Sequence, residues 1–156
     1  MKIQKSIIFS LFFIISSCNS KDNNRILIDN FIKEVIIKNN KNHEDWSEYI
    51  QFSDNLEKSK KKQLTAIIQL RINHLNNQLK ENNQFSIVKY KDSFNKKYNL
   101  NFKYSGDYSK VYFIICNSRP ITPIIVENDK IVCFFYGISK SRKNSQPWLL
   151  NKEVIF

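Results

Sequence analysis

The feature that most restricts this chain is a change of hydrophobic period just past residue 82. Before it, apolar residues recur every three or four positions. Leu64, Ile68, Ile72, Leu75 and Leu79 make the clearest stripe, and Ile67 and Leu70 widen it. That spacing places them on one face of a helix. It predicts a helix over 55–81, with Ser53 or Asp54 as its N-cap and Asn82-Asn83 as its stop. Ile28, Phe31, Ile32, Val35 and Ile36 repeat the pattern over 25–38, and a short helix over 44–51 is expected to bury Trp46, Tyr49 and Ile50.

Beyond the change, apolar residues alternate or run continuously, as in strands. Strands are predicted over 86–90, 100–104, 111–116, 124–126 and 131–136, with Ser105-Gly106-Asp107, Asn117 to Pro120 and Asn128-Asp129 as turns. Pro123 lacks an N–H, so its strand is expected to start after it or to bulge there. Trp148-Leu149-Leu150 is expected to return to the core, and 154–156 to add a short strand. Helices first and an antiparallel meander second make an α+β fold, with the N-terminal helices on one face of about four strands. The order is similar to that of cystatin-like or NTF2-like domains, at the level of fold alone. One domain over 25–156 is expected.

Cys116 and Cys133 can be placed by parity. If Asn128-Asp129 is a two-residue turn, Cys133 faces Ile124. If Asn117 to Pro120 is a four-residue turn, Cys116 faces Ile121. Positions 121 and 124 differ by an odd number, so they point to opposite faces of their strand. The expectation is two buried thiols that do not form a disulfide.

Little in the sequence suggests catalysis. His43 and His74 are the only histidines. The segment His43-Glu44-Asp45-Trp46 lacks the second histidine of a helical zinc site. His74 sits beside the apolar stripe of the long helix. Two glycines in the whole chain exclude a glycine-rich phosphate loop, and no carboxylates have calcium-loop spacing. No metal and no cofactor is expected. Glu44 and Asp45 suit the positive end of a helix.

The formal net charge is +11, which favours anionic partners. Lys58, Lys60, Lys61 and Lys62 form one basic run, and Lys140, Arg142 and Lys143 form another. Each is a candidate for contact with membrane phosphates, and each is otherwise a solvated surface. Tyr90, Tyr98, Tyr104, Tyr108, Tyr112 and Tyr136 offer rings for stacking on sugars or bases, but on strands their ordinary role is cross-strand packing.

The N-terminus carries the one specific motif. Lys2 and Lys5 precede an apolar run from Ile7 to Ile15, which is too short to span a bilayer. The run ends in Ile15-Ser16-Ser17-Cys18. This resembles the lipobox of bacterial lipoproteins, with Ile15 in place of the commoner Leu and Ser17 in place of Gly or Ala. The resemblance covers 18 residues. It implies that residues 1–17 are a signal peptide removed by signal peptidase II. It also implies that Cys18 carries a diacylglyceryl group and, with fatty acylation such as palmitate, anchors the protein outside the cytosol. Residues 18–24 would be a short tether. Asn19, where Asp often retains such proteins at an inner membrane, implies an outer membrane where one exists.

Together these predict a lipid-anchored envelope protein with a non-catalytic binding or accessory domain. Its expected partners are the membrane through Cys18 and an anionic lipid, a glycan or an envelope protein, with no nucleic acid. The alternatives are an envelope hydrolase using His43 or His74 and a structural subunit of an envelope complex.

Overall fold

The computed structural model describes residues 22–39, 43–53, 56–82, 84–91, 93–136, 147 and 149–150. Helix α1 (Asn23–Phe31) runs without a break into a π-helical stretch, Ile32–Ile37. Helices α2 (His43–Trp46) and α3 (Lys58–Asn82) follow. Strand β1 (Phe85–Lys89), helix α4 (Phe94–Tyr98) and a 3-10 turn (Tyr108–Lys110) lead into β2 (Val111–Cys116), β3 (Arg119–Glu127) and β4 (Lys130–Cys133). The strands form an antiparallel sheet in the order β1-β2-β3-β4. The fold is α+β, as the change of period implies.

Both faces of the sheet are covered. On one, Ile28, Phe31, Ile32, Val35 and Ile36 from the first helix meet Leu64, Ile68, Ile72, Leu75 and Leu79 from α3. They close over Tyr112, Ile114, Cys116, Ile124, Val126 and Ile131. On the other, Phe94 of α4 and Phe102 pack on Val111, Phe113, Ile115, Ile125, Val132 and Cys133. At about 25 cal/mol per Å² of apolar surface removed from water, these two layers supply the main drive to fold.

The inner stripe of α3 is buried as its spacing demands, but Leu70 is 67% exposed. It lies two residues past Ile68, about 200° around the helix, and so points away from the sheet. The first helix starts at Asn23, two residues ahead of expectation, because Asp22 caps it: its carboxylate accepts from the Arg25 amide at 3.3 Å. Its last two turns widen to π geometry. Asn76, buried at 3% exposure, closes their end by donating to the Ile36 and Ile37 carbonyls at 2.6 and 2.9 Å.

Several extents differ from the periodic reading. Helix α2 ends at Trp46. Residues 49–51 are then drawn out beside β4, where the Ile131 amide donates to the Tyr49 carbonyl and the Gln51 amide to the Ile131 carbonyl. The expected strand over 100–104 is not part of the sheet. Leu100, Phe102 and Tyr104 still turn inward, onto the aromatic face, so a covering connection reproduces the alternation of a strand. Helix α4 was not expected. Phe94 and Tyr98, one helical turn apart with ring centroids at 4.5 Å, are its only sequence mark. Strand β4 stops at Cys133, and Phe134 and Phe135 bend away, both buried. The buried Thr122 hydroxyl holds that bend by donating to the Phe134 carbonyl at 2.6 Å.

Strand β3 begins at Arg119 and contains Pro120 and Pro123. Its pairing with β4 covers only Ile125 to Glu127. Both prolines therefore sit where β3 has one paired edge, so no ladder bond is lost on the other side. The turn after β2 has two residues, Asn117 and Ser118, at φ 46° and 59°, and Asn128 and Asp129 match it at 48° and 58°. Such left-handed pairs suit the twist of two-residue hairpins. Cys116 consequently faces Arg119, not Ile121, and Cys133 faces Ile125, not Ile124. Extra residues at Ile121 and Val132 bulge β3 and β4, and restore the parity. The two buried thiols lie on opposite faces, and no disulfide joins them.

Leu150 is buried and its amide donates to the Val132 carbonyl, so that part of the 148–150 segment does return to the core. Cys18, Trp148, the basic run Lys140, Arg142 and Lys143, and the expected strand over 154–156 lie outside the described residues.

Candidate anionic-surface site

The N-terminal turns of α3 carry Lys58, Lys60, Lys61 and Lys62, all exposed. No acidic residue stands in that first turn. The helix backbone already presents positive partial charge there, so cations are held against the local field. The sequence makes the opposite choice from the one that stabilises a helix start.

The β3–β4 hairpin comes up beside these lysines. Between them lies a groove of roughly 550 Å³, floored by Ile50, Phe52 and Leu56 and edged by Gln51, Lys61, Asn128 and Lys130. Lys130 is fixed in place: its Nζ donates to the Ser47 and Glu48 carbonyls at 2.8 and 2.6 Å. Both partners are backbone carbonyls, so neither contact is an ion pair. The Gln51 side-chain oxygen is buried with no hydrogen-bond partner among the described residues. Groove and lysine run together offer several donors and point charges. That chemistry suits phosphate or carboxylate groups; Ser47 and Ser53 add hydroxyls to the lining, and among the described residues no histidine or carboxylate lines the groove beside them.

At the same end of the sheet, Asp22 ties the start of the fold to β2. The Tyr112 hydroxyl donates to its two carboxylate oxygens at 2.8 and 3.0 Å. Burial, then the Asp22 hydrogen bond and charge, pushes the Tyr112 phenol up to about 12. Lys89 lies over the Tyr112 ring, 5.7 Å from its centroid, a cation–π contact. Nearby, Asp107 accepts from the amide and hydroxyl of Ser109. Those bonds, helped by the charges of Lys110 and Lys89, lower its pKa.

The other tyrosines are packing groups. Tyr90 lies within 4.7–6.4 Å, centroid to centroid, of Phe94, Phe102, Tyr108 and Phe113. The Tyr104 hydroxyl donates to Glu127 at 2.8 Å, and the Tyr108 hydroxyl accepts from the Tyr104 amide. Tyr98 and Tyr136 pack against the same aromatic cluster. Burial raises both Tyr104 and Tyr136. Tyr112 alone of the six belongs to the helix-covered face.

His74 is exposed on α3, and His43 is on α2 with its side chain outside the described residues. Among the described residues, no three of His, Cys, Asp and Glu come together as a metal cage. No helix among them is long and apolar enough to cross a membrane. Among the described residues, three large apolar side chains are exposed, Ile26, Ile37 and Leu70. Of the basic candidates, the structure brings Lys61 together with Lys130, a residue that no local pattern singles out. Gln51 and the Asp22–Tyr112 link likewise leave no sequence signal. No protein-family model, curated protein or solved structure matches this chain.

Proposed function

We propose that the chain is a bacterial lipoprotein, tethered outside the cytosol through acyl chains on Cys18, whose domain binds an anionic component of the envelope without transforming it. One observation carries the reading. A helix that buries Ile28 and Phe31 begins at Asn23, capped by Asp22, which stands four residues beyond the lipobox cysteine. A leader followed at once by a folded domain is the layout that a short-tethered lipoprotein needs. Each buried CH₂ contributes about 0.8 kcal/mol, so two or three acyl chains hold a domain of this size on a membrane. The exposed lysine run and the groove beside Lys130 supply the binding chemistry. A hydrolase would need a histidine beside a nucleophile or carboxylate, and the exposed His74 gives that reading no support.

The test is the mature product. In a host that processes lipoproteins, intact mass should give a chain starting at acylated Cys18, and radiolabelled palmitate should enter it. Cys18→Ser should leave an unlabelled precursor. Label retained in Cys18→Ser, or a mature chain beginning elsewhere without lipid, would overturn the proposal.

A further inference from the structure

The pairing register collects several groups at one rim of the sheet. Lys89 pairs with Tyr112, Val111 with Ile125, and Glu127 with Lys130. The end of β1, the start of β2, the end of β3 and the start of β4 therefore share that rim. Asp22 docks there on Tyr112. The start of α3 is there too, because Lys61 shares a groove with Asn128 and Lys130. The point where a tether from Cys18 enters the fold and the basic corner thus lie at the same end of the molecule.

The dimensions are tight. Four residues from Cys18 to Asp22 reach about 14 Å at most. Four strands about 4.8 Å apart make a rim of similar width. Charges at this end therefore come within one or two Debye lengths of any bilayer that holds Cys18. Among the described residues, the basic corner comprises Lys58, Lys60, Lys61, Lys62 and Lys130, with Glu48, Glu57, Glu127 and Asp129 as the acids adjoining them in sequence, register or hydrogen bonding. Four of those lysines are in the first turns of α3, against the helix field, where a negative surface offsets what the fold does not.

We propose that this rim faces the bilayer and that the lysine corner rests on anionic lipid headgroups, holding the domain in one orientation. This inference rests on the lipoprotein reading above and adds the partner and the face.

The experiment uses the acylated mature chain in vesicles of phosphatidylcholine alone and of phosphatidylcholine with phosphatidylglycerol. Lysines are acetylated briefly and read by peptide mass spectrometry, with the acyl group on Cys18 read in the same digest. Lys80, about 33 Å along α3 from Lys58, is the internal control. In anionic vesicles at low salt, Lys58, Lys60, Lys61 and Lys62 should label roughly fivefold more slowly than in neutral ones, with Lys80 unchanged. Salt should remove the difference. Lys60→Glu with Lys61→Glu should keep the acyl group and abolish the protection at Lys58 and Lys62. An acylated chain whose corner lysines label equally in both vesicles would overturn the orientation and leave the anchor standing. Protection already present in detergent would point to self-association and overturn it as well. Absence of the acyl group would overturn both readings.

Discussion

Asn76 joins two elements far apart in sequence. Its amide nitrogen reaches the Ile36 and Ile37 carbonyls, 40 and 39 residues away, where the π-helical stretch ends against α3. A helix end leaves carbonyls without intrahelical partners, and this one lies where the side chain, not water, supplies the donor. Asn76→Ala should lower stability by about 2–3 kcal/mol, since buried acceptors left unpaired carry their full desolvation penalty. Urea unfolding followed by circular dichroism would measure it; an unchanged midpoint would mean that water replaces the amide. Asn76→Asp should be worse, because a carboxylate would face two carbonyl oxygens. None of this is legible in the sequence, where Asn76 is one of many asparagines. Side-chain partners at such separations follow from the packing and leave no periodic trace. Gly106 is similar: a Cβ there would come within 2.5 Å of the Tyr104 ring, a contact that exists only once the chain is folded.

Among the elements, α3 is the most legible. Five apolar residues on one stripe predict both its existence and its buried face, and all five are buried. Strands β1 and β2 are placed to within a residue by their composition. Short elements are where periodicity fails. A connection over 100–104 copies the alternation of a strand because it too covers an apolar surface. Helix α4 has too few residues to establish a period of 3.6. The start of α3 breaks a local rule, since lysines occupy the turn where acids stabilise. Sites that depart from the locally stable choice are often functional. That departure gives a prediction of its own. In detergent without anionic lipid and at low salt, Lys60→Glu with Lys61→Glu should raise the thermal midpoint by about 2 °C, as charge and helix field come to agree. Salt should erase the gain. A midpoint that falls would show that these lysines support the fold, and would remove the reason to see them as held for a partner.

Across the whole molecule, the sheet is a partition between a helix-covered core and an aromatic one, and the two cysteines report on it from either side. Their opposite placement is legible in the sequence, although the register behind it is not. The two-residue turn at Asn117-Ser118 moves Cys116 along its partner strand, and the bulges at Ile121 and Val132 each reverse one alternation. A sulfur on one face cannot approach a sulfur on the other without dismantling β2, β3 and β4. Burial raises the Cys116 thiol, so little of it is thiolate near neutral pH. In a compartment that oxidises exposed thiol pairs, these two should remain reduced. With Cys18 acylated, a thiol-specific chromogenic reagent should find neither of them in the native protein, and both in guanidinium chloride. The rate of labelling in intermediate denaturant should follow the global unfolding equilibrium at both positions alike, because each sulfur is shielded by a layer of the same sheet. Fast labelling of one cysteine under native conditions would mean that one layer opens without the other. A disulfide between them in protein isolated without reductant would mean that the partition itself is wrong.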